Sequence, residues 1–203
     1  MPGDSQSSDS AEYLLYCRDK PDTAETLERL TDAHWSFMDG YADRLQARGP
    51  SLSDDGEEHT GSLHIVRLAT RDETDVFAYR EPFYAGGVYQ DVMIRRWQNR
   101  LGRTMWEFET NSDDPMFLIL AHADAPMAGF VEAHRSFAAT YRDRMVVYGS
   151  MLALDDGAWT GFAQILQMPS RAAVEKLIAE DPVIASPAIA RCEIHRWCVG
   201  GRR

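Results

Sequence analysis

The 203-residue chain contains the segment HWSFMDGYADRLQARG from His34, and one hundred residues later HRSFAATYRDRMVVYG from His134. Ser36, Phe37, Tyr41, Asp43, Arg44 and Gly49 recur as Ser136, Phe137, Tyr141, Asp143, Arg144 and Gly149. The register persists to the far end of each unit, where Gly61 matches Gly161, Pro82 matches Pro182, and the IRRW ending at Trp97 matches the IHRW ending at Trp197. Two copies are too few for a solenoid, which needs about three to bury a continuous core. The chain is a duplication, and any fold assigned to it must accommodate one unit twice.

Charge narrows the partners. Asp and Glu outnumber Lys and Arg by 32 to 21, for a formal charge of −11. Nucleic acid and anionic membranes require a clustered basic face. Here the basic runs are short, IRRWQNRLGR and the terminal GGRR, and read as solvated strand ends and a tail. The first residues, MPGDSQSSDSAE, are polar and acidic rather than a secretory signal, and no apolar run approaches the ~18 residues of a membrane span. Cys17, Cys192 and Cys198 fit neither a zinc motif nor a disulfide framework. Cys192 and Cys198 read as buried small residues. A small-molecule ligand in a cytoplasmic protein is the expectation.

Each copy reads as strand, helix, strand, strand, helix, strand. YLLYC (13–17) and MFLILA (116–121) are short apolar runs bounded by Asp and Pro, as buried strands are. His34, Phe37, Met38, Tyr41 and Leu45 fall on one helical face, as do His134, Phe137, Ala138, Tyr141 and Met145. The spacing predicts a helix from each histidine to Gly49 or Gly149, a common exit residue, with the histidine near its start. After a loop rich in Asp and Gly come the strands SLHIVRLAT and FAQILQMPS. Thr70 and Ser170 then open second helices, which end before Glu81-Pro82 and Asp181-Pro182. DVMIRRW and RCEIHRW close the units. Residues 1–11 are expected to be a disordered tail, 12–98 repeat 1, 99–115 a linker partly packed through Trp106 and Phe108, 116–199 repeat 2, and 200–203 a tail.

A βαββαβ unit has the ferredoxin-like split pattern, with helices on one face of a four-stranded sheet. The other face needs a cover, and the second copy supplies it. The expected fold class is therefore α+β: tandem ferredoxin-like repeats closing into an intrachain pseudo-dimeric α/β barrel. The chain would be a monomeric pseudo-dimer or a homodimer of such units.

AHWSFM, ARGPSL, HTGSLHIVRLATRDE and REPFYAGGVYQDV, in that order, resemble the YciI-related family of the dimeric α/β-barrel superfamily. The family's Asp-Pro-aromatic appears here as Glu81-Pro82-Phe83, followed by Gly87-Val88-Tyr89. The second copy keeps Asp181-Pro182 but reads DPVIASPAIA in place of the rest. The resemblance implies a His–carboxylate pair lining a cleft, without metal or organic cofactor: His134 with Asp181, and His34 with Glu81. A neutral histidine exchanges protons near pH 7, and a carboxylate fixes its tautomer.

The implied activity is lyase or isomerase chemistry on a small organic metabolite of catabolism or secondary metabolism: elimination (including dehydrohalogenation), isomerisation or rearrangement. A non-catalytic binding or pathway-accessory barrel and a cofactor-free oxygenase are the alternatives. Because Asp181 keeps the family's residue type, the second copy is expected to carry the chemistry, with His34 contributing less. Tyr41, Tyr141, Phe83, Tyr89, His64 and His195 are candidate ligand contacts. His59, His64, His122 and His195 have no histidine at their repeat positions, and no HxH or HxxxH spacing suggests a metal. AGGVYQ follows a helix and precedes a strand, the reverse of a nucleotide loop, and no GxSxG is present.

Overall fold

A computed structural model of the protein describes residues 10–110, 112–124 and 130–202, with backbone alone for 130–133. The N-terminal tail expected over 1–11 lies outside the described residues up to 9, and Ala11 already begins a strand. Repeat 1 comprises β1 (Ala11–Asp19), α1 (Ala24–Asp39), β2 (Leu45–Leu52), β3 (His59–Leu68), α2 (Arg71–Tyr79), the short α3 (Pro82–Ala85) and β4 (Tyr89–Asn99). Repeat 2 comprises β5 (Met116–Ala123), α4 (Phe130–Thr140), β6 (Met145–Leu152), β7 (Trp159–Gln167), α5 (Arg171–Glu180) and β8 (Ile189–Trp197).

The strands form a closed barrel in the order β1-β3-β2-β8-β5-β7-β6-β4. Each repeat contributes a ferredoxin-like quartet, and two antiparallel seams join the quartets. Ser51 pairs with Trp197 and Leu52 with Arg196 in one seam; Met151 pairs with Trp97 and Leu152 with Arg96 in the other. The seams are thus related by the same hundred-residue offset as the sequence. Alternate strand residues face opposite ways. Leu14, Tyr16, Leu63, Ile65, Leu118, Leu120 and Ile165 fill the barrel with both tryptophans. Tyr13, Leu15 and Val66 pack outward under α1 and α2 with Met38 and Phe77. Phe117, Ile119 and Phe162 do the same in repeat 2 with Ala138, Val174 and Leu177.

The second helices begin as the sequence predicts. Thr70 accepts from Glu73 N and Ser170 from Ala173 N, capping α2 and α5. The first helices do not end as predicted. α1 stops at Gly40, and residues 45–49, read as its continuation, belong to β2. His34 therefore sits in the second half of α1, not near its start. Leu45 kept the helical phase by coincidence, because β2 is buried on both faces and shows no alternation that would reveal the period of a strand.

Gly49 and Gly149, read as helix ends, lie inside β2 and β6, where a tryptophan of the other repeat crosses. A Cβ on Gly49 would sit 2.0 Å from Cys198 O and 2.7 Å from Trp197 Cζ2; on Gly149, 2.3 Å from Trp97 Cζ2 and 2.5 Å from Gln98 O.

Between the repeats, Leu101 and Met105 are buried and Phe108 packs against the core, whereas Trp106 is 52% exposed and does not pack down as expected. Cys17 is buried and Cys192 half-buried, but Cys198 is exposed rather than a buried filler. No described helix is long and apolar enough to cross a membrane. Gly149→Ala should lower stability by roughly 1–3 kcal/mol through overpacking at the seam. Urea unfolding measures it, and a wild-type midpoint would contradict the seam packing.

Candidate functional site

Each sequence-predicted dyad forms. His34 Nδ1 lies 2.8 Å from Glu81 Oε2. His134 Nε2 lies 2.8 Å from Asp181 Oδ2. Both carboxylates also cap the turn that follows, Glu81 accepting from Phe83 N and Tyr84 N, Asp181 from Val183 N and Ile184 N. The proline after each carboxylate has no N–H and a fixed φ that suit the first position of a helical turn. The capping role and the pairing role are thus held by one side chain, and the extra methylene of Glu81 brings its oxygen to Nδ1 rather than Nε2.

The surroundings of the two dyads differ. His34 faces a cavity of about 290 Å³. Its floor comes from β2 and β3, its wall from α1 and Phe83, and its rim from Val199, Gly200 and Gly201 beyond β8. Repeat 2 therefore completes the site of repeat 1. Cys198 N donates to Pro50 O (3.3 Å) and Gly200 N to Arg48 O (3.1 Å), while the Arg202 guanidinium bonds Asp32 O and Ser36 Oγ on α1. The terminal segment, read as a solvated tail, is docked through residue 202. Phe83 stacks on His34 at 4.1 Å between ring centres, fixing the imidazole plane. Among the described residues His34 has Glu81 as its hydrogen-bond partner, through Nδ1. A carboxylate only accepts, so a proton sits on Nδ1, and the neutral form of the ring keeps its lone pair on Nε2, at the cavity.

His134 is wholly buried, and its other nitrogen, Nδ1, lies 2.7 Å from Tyr148 Oη. Burial pushes the Tyr148 hydroxyl up to about 12, so it stays protonated and donates. Larger side chains occupy the positions that open the first cavity. Ser62 is matched by Phe162, whose ring centre lies 4.2 Å from that of His134. Gly200 and Gly201 are matched by Arg100 and Leu101, and Leu101 packs in the same cluster as Phe162 and Tyr148.

Other sequence candidates divide. Phe83 and His64 line the cavity. Tyr89 is buried behind Phe83, edge to face at 6.1 Å. Tyr41 packs on Phe37 and Phe77, and Tyr141 on Phe137, away from the cavity. His195 points into the barrel instead, where it and His122 bond Glu193 with Arg18. Burial alone would raise the Glu193 carboxyl; the bonds from His122, His195 and Arg18 outweigh it and hold it well below the usual range. His122 is the counterpart of Arg18, since they pair with Gly161 and Gly61. Among the described residues, no group of three or more His, Cys, Asp or Glu is placed to hold a metal ion.

Sequence reading did not nominate Arg48, Ser62 or His59 as site residues, although all three line the cavity. The signal was present: each differs from its counterpart, Tyr148, Phe162 and Trp159.

The tandem ferredoxin-like pair closed into one barrel has the dimeric α/β-barrel fold, here within a single chain. Residues 11–98 match the YCII-related domain family, and residues 116–199 repeat the strand order and the dyad of that unit. Protein YciI of Escherichia coli O6:H1 and of Shigella flexneri are each 28% identical over 90 residues, which is 92% of their length and 41% of this chain. A mutant chlorite dismutase from Candidatus Nitrospira defluvii matches across both repeats, with TM-score 0.61, 7% identity, and 93% of this chain and 92% of that one covered. A heme-binding protein from Thermus thermophilus does likewise (TM-score 0.54, 12% identity, 93% and 91% covered). At these identities the likeness is one of fold. The 5-chloro-2-hydroxyhydroquinone dehydrochlorinase of Burkholderia phenoliruptrix matches one unit: TM-score 0.41, 25% identity, 43% of this chain and 94% of that one.

Burial, then the neighbouring His34, Arg48 and His59, push the His64 imidazole well below the ordinary histidine range. The unfolded chain protonates it near the ordinary value of about 6.5. Its contribution to stability is therefore present above that value and is lost as pH falls below it. His64→Gln, which installs the residue found at position 164, should remove that loss. Unfolding free energies of the two proteins should converge or cross as pH falls from about 7.5 to about 5; a pH-independent difference would contradict a neutral His64.

Proposed function

We propose that the protein is an enzyme of acid–base chemistry on a small organic molecule, worked by the His34–Glu81 pair in the cavity of repeat 1. The observation that carries this is Nε2 of His34 at a cavity, without a hydrogen-bond partner among the described residues and backed by a carboxylate that is 2% exposed. A dry carboxylate orients the ring and stabilises the imidazolium formed when Nε2 takes a proton. His64, held neutral, is a hydrogen-bonding wall rather than a second charge. Arg48, 8% exposed, supplies a permanent positive charge on the β2 side. Apolar Leu27, Trp35, Met38 and Phe83 exclude water around these few polar groups, the common make-up of a ligand pocket.

The reaction class is removal of a proton from a carbon acid, the first step of an elimination, isomerisation or rearrangement. This places the chemistry in the first copy, whereas the residue types favoured the second. The geometry supports the change because His134 has both nitrogens engaged and Phe162 against its ring. Glu81 supplies the same acceptor oxygen as an aspartate would. Volume at the opening, rather than identity of the acid, distinguishes the copies.

The test is exchange of the acidic C–H hydrogens of small cyclic ketones with D2O, followed by proton NMR. His34→Gln should slow catalysed exchange by about 10²–10⁴-fold, the usual effect of removing an acid–base group. Ser62→Phe, which imports the residue of the second copy, should abolish it by filling the cavity while leaving the melting temperature near wild type. His134→Gln should alter stability more than exchange. Undiminished exchange in folded His34→Gln would overturn the proposal and leave the barrel a binding module.

A further inference from the structure

The first cavity carries a second histidine–carboxylate pair that the repeat does not predict. His59, the first residue of β3, lines the cavity, and its Nδ1 lies 2.6 Å from Oδ2 of Asp19, the last residue of β1. The Asp19 side chain is 4% exposed. The carboxylate accepts from Nδ1 whether the ring is neutral or charged, and Nε2 is the working nitrogen. As a proton donor the ring starts as the imidazolium, protonated on both nitrogens and stabilised by Asp19, and ends neutral with its proton on Nδ1. Ser62 Oγ lies 3.5 Å from Nε2, the outer limit of a hydrogen bond. The His59 ring meets the edge of Phe83 at 6.2 Å, while His34 stacks on the same phenyl at 4.1 Å. One phenyl thus positions both imidazoles, one approaching from the helix side and one from the strand side.

The pair belongs to the copy with the cavity and is absent from the other. His59 is matched by Trp159. Asp19 pairs with Tyr89 as Ala123 pairs with Ile189, so Asp19 is matched by Ala123. Its position also differs from that of His34. The side chain of His34 is 9% exposed, whereas that of His59 is 24% exposed and also borders an open groove with Lys20, Asp22, Glu57 and Glu58. A proton donor must be reloaded from water after each turnover, and the mouth of the cavity is where reloading is possible.

We infer that His59, positioned by Asp19, is a second catalytic residue that acts as general acid opposite the base His34, and that the substrate is a small carbonyl compound with an oxygen leaving group β to the carbonyl. This rests on the proposed function of the same cavity. In the step, His34 Nε2 takes the hydrogen on the carbon next to the carbonyl, and the C–H electron pair becomes the new C=C bond. The C–O bond breaks with its pair on oxygen, and that oxygen takes the proton of His59 Nε2 and leaves as water. One proton then passes from His34 to solvent and one from solvent to His59. Nothing is oxidised or reduced. A second proton-transfer group is required only when the departing atom is too basic to leave unaided, which selects oxygen over halide.

The experiment compares β-hydroxycyclohexanone with β-chlorocyclohexanone in D2O, following loss of water, loss of chloride and exchange of the hydrogens next to the carbonyl. In His59→Gln the ratio of water loss to chloride loss should fall by about 10²–10⁴-fold. Asp19→Asn should lower the same ratio less and displace the limb of the pH–rate profile that reports the acid, a shift that purely structural damage would not produce. Thermal melting checks that both variants fold. Equal slowing for the two leaving groups, or no slowing, would overturn the role of His59. A wild-type protein that exchanges hydrogen but eliminates neither group would overturn it too, with the proposed function intact. A protein that does neither overturns both.

Discussion

Two tryptophan–glycine crossings set the geometry on which everything else rests. Trp197 lies over Gly49 and donates its indole N–H to Gly49 O at 3.2 Å, and Trp97 lies over Gly149. Each crossing lets a last strand run past its own sheet and pair with the other repeat's second strand. Without it the seams would open and each sheet would leave a face uncovered. Because the seam continues beyond the strand, the residues after Trp197 are carried over the dyad of repeat 1, and those after Trp97 over the dyad of repeat 2. Covalent tandem linkage makes this exchange intramolecular and independent of concentration.

A symmetric scaffold thus delivers two chemically similar dyads under two crossing segments, and side-chain volume then separates them. In repeat 1 the crossing brings two glycines and meets Ser62; in repeat 2 it brings Arg100 and Leu101 and meets Phe162. Close packing leaves no intermediate outcome, since a core either contains the atoms or a hole. The filled copy gains contacts, which stabilise the half of the barrel that keeps its dyad sealed. The open copy gives up that packing and gains a cavity of about 290 Å³ lined by three histidines and an arginine. Freed from packing on an aromatic side chain at position 62, the first cavity admits His59 and Asp19 as a second pair. The duplicated unit has one copy suited to chemistry and one suited to structure.

The fold was legible because its determinant, the hundred-residue register, is a sequence property, and Thr70, Ser170, Pro82 and Pro182 mark local boundaries. The dyads were legible through the same register. β2 was not, since LQARGPSL is buried on both faces and carries no alternation to distinguish it from a helix end. Nor was the choice of copy. Comparing acids at 81 and 181 favoured the second, whereas the determinant lies in Ser62, Gly200 and Gly201, whose importance depends on a strand crossing that no local pattern announces. His195 illustrates the same limit: strand alternation alone does not say whether a residue faces the barrel or the helices, and it faces the barrel.

The central claim is that the dyad of repeat 1 opens to a cavity while that of repeat 2 is sealed, and histidine acylation tests it without a known substrate. Diethyl pyrocarbonate attacks an accessible neutral imidazole nitrogen, and peptide mass spectrometry assigns the product to individual histidines. In the folded protein His34 and His59 should be modified while His134 stays protected until the chain is unfolded. Modification of folded His134 as fast as His34 would contradict the account.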